Sequence, residues 1–392
     1  MTRIHPVLFP LFVLLWTAAL FSVSPVRGAV PIETCLSEEG KTCFAVPLTL
    51  PAPDRAEGTD MLIAVDLSAG QLSRQVREEA RNAVSALIAG LPRGSRVQVF
   101  VLSNEMTPIA STPGFVGATP ELAAAAAADL ARETPLGAMD LKKGIQSARE
   151  ALNGLDGANR KSIVFIGRGV STASFFNRHE AARLTAGLVE DRITFSAFAN
   201  GAVTNNNALA SLVFQTGGAI ADLRIKEGAE AGACLAAASA AAVGWLENDD
   251  LPEQLGADAL YPARLPPIRS DRETFLIGEG NLPSENPIPL TLEVADAAGT
   301  RSTLELSLTA APPKEENRPL ARMVREAAKD GGIALPIPGR ALLREYMAAL
   351  ENEEEQIKKL GDETAEKTED APPASPARPA EPPRTEKTPK AW

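Results

Sequence analysis

The residues best placed to do chemistry are Asp66 and Ser68, in the stretch "MLIAVDLSAG" at 61–70. A carboxylate and a hydroxyl two positions apart, where an apolar run ends, gather oxygen donors at the tip of a buried strand. Two other stretches share that form. "ETPLGAMDLKKGIQSAREAL" (133–152) places Thr134 in a Thr-Pro-Leu-Gly turn that opens a helix, and "IVFIGRGVST" (163–172) delivers Arg168 at the end of an apolar run. Oxygen donors can hold a hard cation. A guanidinium can instead accept an anion or close an ion pair with the carboxylate.

Other chemistries find little support. Besides His5, the sequence has a single His, His179, within the amphipathic "FFNRHEAARL" and without a nucleophile signature nearby. Zinc sites built on His and Cys clusters are excluded by count. "GANRKS" (157–162) lacks the Gly that a phosphate-binding loop needs before its Lys, and "GRGVST" (167–172) departs from the dinucleotide fingerprint. Nothing points to a glycosidase carboxylate pair. A hydrolase would need a second acid beside Asp66. Asp140 is the one on offer, and an acid at a helix start is ordinarily electrostatic decoration. The net charge of -11 argues against nucleic acid and against an anionic membrane surface.

The elements that would position these residues alternate. Strands are expected at 61–66, 96–103, 161–167, 193–199 and 219–223. Helices are expected at 73–91, 120–132, 137–152, 175–190, 208–218 and 227–246. In the first helix Val76, Ala80, Ala83, Val84, Leu87 and Ile88 share one face. This order predicts an α/β fold, a doubly wound and mostly parallel sheet with helices on both faces. Such sheets bind ligands beyond the carboxyl ends of their strands, where Asp66 falls.

With this strand and helix order, "DLSAG" (66–70), the Thr134 turn and "IVFIGRGVST", followed by "ITFSAFANG" (193–201) and "LASLVFQTGG" (209–218), resemble the von Willebrand factor A domain across about 60–246. The resemblance implies a metal-ion-dependent adhesion site. It would hold Mg²⁺ through an Asp-x-Ser-x-Ser loop, a Thr and a further Asp, with a partner's carboxylate completing the shell. Asp66, Ser68 and Thr134 match that pattern. Gly70 stands at the second Ser, and Arg168 stands at the further Asp. The two changes predict a degenerate site with weak or no Mg²⁺ binding, in which Asp66 is neutralised by Arg168; an anion-accepting surface using Arg168 and a residual metal site are the alternatives.

Outside 60–246 the texture changes. Residues 1–28, with Arg3 and His5 before an apolar run and "SPVRGA" after it, read as a cleaved signal peptide. That predicts an exported protein: periplasmic, cell-surface or secreted. In the segment 29–59, Cys35 and Cys43 suggest a local disulfide; pairing of either with Cys234 is the alternative. Residues 257–311 predict a small antiparallel β-module. Residues 318–360 predict helices, with Leu343, Tyr346, Leu350, Ile357 and Leu360 forming a seam that would pack within the chain or join a second copy. Residues 361–392 contain no Leu, Ile, Val, Phe or Met and predict a disordered tail. No catalytic constellation and no resident cofactor are expected. The function expected is an exported, non-enzymatic protein-binding module. A hydrolase using strand-end carboxylates and an oligomeric envelope scaffold are the alternatives.

Overall fold

A computed structural model describes residues 29–333, except 54–56, 158 and 284–285, together with parts of a helical stretch between 340 and 356. The expected leader (1–28) and tail (361–392) lie outside the described residues.

Two strands come first, β1 (Val30–Leu36) and β2 (Thr42–Leu48), joined by a hairpin. The chain then winds through β3 (Thr59–Asp66), α1 (Arg74–Gly90), β4 (Arg96–Leu102), β5 (Met106–Pro108), β6 (Val116–Gly117), α2 (Pro120–Arg132) and α3 (Leu141–Asn153). It continues through β7 (Arg160–Gly167), α4 (Arg178–Glu190), β8 (Ile193–Ala199), α5 (Asn206–Gln215), β9 (Ile220–Asp222) and α6 (Gly228–Ala240). The sheet runs β5-β4-β3-β7-β8-β9, with β6 also on β4. The strands from β4 to β9 along this order are parallel; β5 and β6 form an antiparallel edge. This is the doubly wound α/β sheet expected.

β3 is buried along its whole length, and its alternate side chains serve two cores. Met61, Ile63 and Val65 pack with residues of α1, α2 and α6, while Leu62 and Ala64 pack with α3, α4 and α5. Burying a side chain the size of Ile or Leu contributes about 1.5–3 kcal/mol. The end of β3 is therefore a fixed point for the loop that follows it. Helices near that end start on side-chain caps. Ser73 accepts from the Val76 N–H, Asp140 from Lys143 and Asn177 from Glu180. These caps explain two shifted boundaries: α3 begins at 141 rather than 137, and α4 at 178 rather than 175.

The expected helix at 227–246 is corrected. α6 stops at Ala240, and Val243–Leu246 form a strand, β10, with Trp245 buried. After it come α7 (Leu251–Gln254), β11 (Ala257–Tyr261), β12 (Ile268–Arg269), β13 (Thr274–Gly280), β14 (Ile288–Ala295), β15 (Arg301–Ala310) and α8 (Pro319–Ala328). The β-rich part is larger than the sequence led one to expect, because β1, β2 and β10 join it. The order is β11-β13-β2-β1-β15-β14-β10-β12. β1 pairs with β15 through Val30–Ile32 and with β2 through Glu33–Leu36, so it links two layers. Between the layers lie Phe44, Val46, Leu48, Leu276, Leu290, Leu292 and Leu308. On the outer side of β2 and β13, Cys43, Ala45, Phe275 and Ile277 face α8 and Leu343, Met347 and Leu350. The described part of the expected seam thus packs against its own chain, while Tyr346, Ile357 and Leu360 lie outside the described residues.

The expected disulfide is not formed in this structure, and all three cysteines are free thiols. Cys35 and Cys43 nonetheless stand directly opposite each other on β1 and β2, both buried. Their mutual contact draws Cys35 down and pushes Cys43 up. Cys234 is exposed on α6.

Candidate binding edge

The carboxyl ends of β3 and β7 bring Asp66 and Arg168 together, although 102 positions separate them. The Asp66 side chain has no exposed surface, and that of Arg168 is 15 % exposed. Arg168 Nε lies 3.7 Å from Asp66 Oδ2, and its Nη2 donates to Ser68 Oγ at 3.3 Å. The backbone N–H groups of Ser68 and Arg168 donate to Asp66 Oδ1 and Oδ2 at 3.0 and 3.4 Å. Asp66 is thereby held by two N–H groups and one guanidinium charge, which is how a buried carboxylate remains tolerable.

Two glycines make the room. At Gly167 an added Cβ would stand 2.3 Å from Asp66 Cβ, so only a glycine lets β7 pass so close. At Gly70 an added Cβ would fall 1.9 Å from Arg168 Nη2 and 2.0 Å from its Cζ. The guanidinium therefore occupies the space that a side chain at position 70 would take. The missing hydroxyl and the extra cation are one steric arrangement.

Thr134 is exposed and makes no hydrogen bond to Asp66, Ser68 or Arg168, although its loop reaches the same place. The Leu136 N–H donates to Leu67 O, and the Ala69 N–H donates to Gly137 O, both at 3.0 Å. Asp140 accepts from the Lys143 N–H at 3.0 Å and from Ser174 Oγ at 2.7 Å, the work of a helix cap.

Mg²⁺ asks for a near-octahedral set of oxygens. Here the set retains Asp66 and Ser68, lacks a hydroxyl at Gly70, and has a guanidinium where a second carboxylate would stand. The residues present do not fit the ion. Among the described residues, no group of three or more His, Cys, Asp or Glu side chains is placed to hold a metal.

Sequence reasoning missed what surrounds the pair. Leu72, Leu136, Phe175, Val203 and Ile225 are 66–82 % exposed, and each sits in a loop of this edge. Four of them follow a strand of the parallel sheet, and Leu136 lies in the loop bonded to Leu67. They are five of the six large apolar side chains exposed among the described residues, so the edge is where apolar surface is concentrated. Part of the signal was available, since Leu72, Leu136, Val203 and Ile225 are large apolar residues outside every expected strand and helix.

An open α/β sheet with a strand-end Asp-x-Ser and a helix ending in Thr-Gly-Gly defines a class of interaction domain. Residues 59–222 match the family model of the von Willebrand factor type A domain, a family of protein-interaction modules. No curated protein matches the chain. Among solved structures, a von Willebrand factor type A protein from Catenulispora acidiphila matches with a TM-score of 0.50 and 13 % identity, covering 77 % of this chain and 76 % of its own. The human COPII-coat protein Sec24c gives 0.49 and 13 %, over 76 % of this chain and 50 % of its own. The ArnB paralog VWA2 from Sulfolobus acidocaldarius gives 0.47 and 13 %, over 75 % and 80 %. The first match extends over more of this chain than residues 59–222 alone. At this identity the likeness is one of fold.

Proposed function

We propose that this protein is an exported, non-enzymatic module that binds a protein partner at the carboxyl edge of its A-domain sheet, without a metal. The observation that carries this reading is the apolar rim of Leu72, Leu136, Phe175, Val203 and Ile225 around a closed Asp66–Arg168 pair. A metal-centred face needs an acidic ligand from its partner. A face whose central charges are already paired, and whose rim is apolar, favours a partner with complementary apolar side chains. Export rests on the reading of residues 1–28 as a leader. In an oxidising compartment the opposed Cys35 and Cys43 thiols would close a bridge of the kind expected from their spacing. The hydrolase reading has only Asp66 in its favour, because Asp140 is engaged as a cap. The scaffold reading is weakened by the burial of Leu343 and Leu350 within their own chain.

The test is capture from an envelope extract, with and without a chelator, using the unaltered protein and the variant Leu136→Ser, Phe175→Ser. The expected outcome is a partner retained in chelator and lost by about tenfold or more in the variant, as befits two truncated interface anchors. Both side chains are exposed, so stability should move by less than about 0.5 kcal/mol. Capture that needs Mg²⁺, or that survives the double substitution, would overturn the reading.

A further inference from the structure

The opposite end of the same sheet carries a second concentration of charge. Arg160 at the start of β7, Arg269 on β12 and Arg272 just after it lie where the A domain meets the β-rich part. Arg269 is 2 % exposed and Arg160 9 %. Their guanidinium groups donate mainly to carbonyls at two helix ends. Arg160 donates to the carbonyls of Ala241, Ser239 and Glu57; Arg269 to those of Gly217 and Ala238; and Arg272 to that of Gly218. All of these carbonyls except that of Glu57, which precedes β3, lie at or just beyond the carboxyl ends of α5 and α6.

The charges do not cancel. Three guanidinium groups meet one carboxylate in direct contact, Asp271, which accepts twice from Arg269 at 2.7 Å. Two helix ends contribute about half a negative charge each. Glu57 lies 3.9 Å from Arg160 Nε, but its side chain is 72 % exposed and water screens it. About one positive charge is left over. Burial, with Arg269 adding to it, pushes Arg272 down to about 9, and the same two causes lower Arg160.

Beside these groups is a cavity of about 20 Å³ lined by Thr59, Arg160, Lys161, Trp245 and Arg269 among others. That is room for one occupant of about the size of a water molecule. Three buried polar atoms of lining residues have no hydrogen-bond partner: Thr59 Oγ1, Arg160 Nε and Trp245 Nε1. Guanidinium and indole N–H groups can only donate, and the Thr hydroxyl is free to donate. Ser162, Thr194, Ser196 and Ser239 line it too, with hydroxyls that can turn either way. An occupant that accepts would satisfy the three unpartnered atoms, in a setting of net positive charge.

We infer that this cavity is a binding site for a monatomic inorganic anion of the chloride class, held by Arg160, Trp245 and Thr59 and joining the A domain to the β-rich part. A water could satisfy the same three atoms, but it would leave the excess positive charge uncompensated, which an anion would not. Phosphate and sulfate are too large for the space. The site lies at the far end of the sheet from Asp66 and is independent of how the carboxyl edge is read.

The purified protein crystallised in bromide is the test, with anomalous diffraction as the readout. A bromide peak within the cavity supports the site; a cavity with no anomalous peak overturns it. Thermal unfolding at matched ionic strength gives a second readout. Chloride is expected to raise the midpoint by a few degrees over gluconate, which is too large to enter. Trp245→Phe keeps the buried ring and removes one donor, so it should abolish that difference. If this variant does not fold, Thr59→Val removes another donor and is read in the same way. Equal midpoints in chloride and gluconate for the unaltered protein would also overturn the inference.

Discussion

The two ends of one parallel sheet handle buried arginine in opposite ways. At the carboxyl edge a single guanidinium meets a single carboxylate, and the pair is closed. At the amino end three guanidinium groups share one carboxylate and lean on helix carbonyls. Both ends obey the rule that buried charge needs compensation. At the first end one residue of opposite sign supplies it. At the second it is spread over Asp271 and two helix ends, with the proposed anion taking up the remainder. The first arrangement is local and breaks with one substitution; the second is distributed and yields in steps.

The largest effect should come from Asp66→Asn, which leaves Arg168 largely buried without a counter-charge. The expected cost is about 3 kcal/mol by urea unfolding, at the low end for a broken buried pair. Arg168→Met should cost less, because two backbone N–H groups still serve Asp66. An Asp66→Asn cost below about 1 kcal/mol would mean that the pair is effectively solvated.

Next comes Gly70→Ser, which drives a Cβ into the guanidinium and should cost about 1–3 kcal/mol as an overpacked site. Combined with Arg168→Asp, the steric part should vanish. Calorimetry should then show Mg²⁺ binding in the double variant and none in the unaltered protein. The same cost in both backgrounds would uncouple the two positions, and Mg²⁺ binding by the unaltered protein would make the edge a metal site after all.

The smallest effect is a pH dependence at the amino end. Burial works to raise Asp271, but its hydrogen bonds to Arg269 and the charges of Arg269 and Arg272 outweigh it and hold the carboxyl below the usual range. Between its folded and unfolded pKa values the unfolded chain carries more protons, so stability rises with pH across that window. The contribution is fully present above an ordinary Asp pKa of about 3.9 and fades as pH falls below it. Unfolding followed from neutral pH into acid should show this limb, and Asp271→Asn should flatten it. An unchanged limb would assign the acid sensitivity to other carboxylates.

Much of the A domain was legible because its signals are local. Buried strands read as apolar runs, helices carry one apolar face and a cap, and the site residues sit where strands end. Arg168 could be set against Asp66 through the resemblance to the A domain, whose pattern places an Asp where Arg168 stands. That Gly70 is the space Arg168 fills is a fact of three dimensions with no trace in spacing. β1 and β2 were read as a short disulfide segment because their partners, β13 and β15, lie on the far side of the A domain, and nothing local announces such pairings. The end of α6 was misread because Ala continues past it, so that helix propensity in "AAASAAAVGWL" masks the strand carrying Trp245. The arginine cluster escaped notice because its members come from β7 and from residues 269–272 and share no motif.

The A domain is inserted into the β-rich part between β2 and β10, and both junctions lie at the amino end of the parallel sheet. A pull exerted on the carboxyl edge must therefore travel the length of the strands and leave through two covalent links at once. Under such a load the ladders between β3, β4 and β7 are strained in shear, many hydrogen bonds together, rather than unzipped one by one. The domain is mounted as a grip is mounted on a handle, with its anchorage opposite its working face.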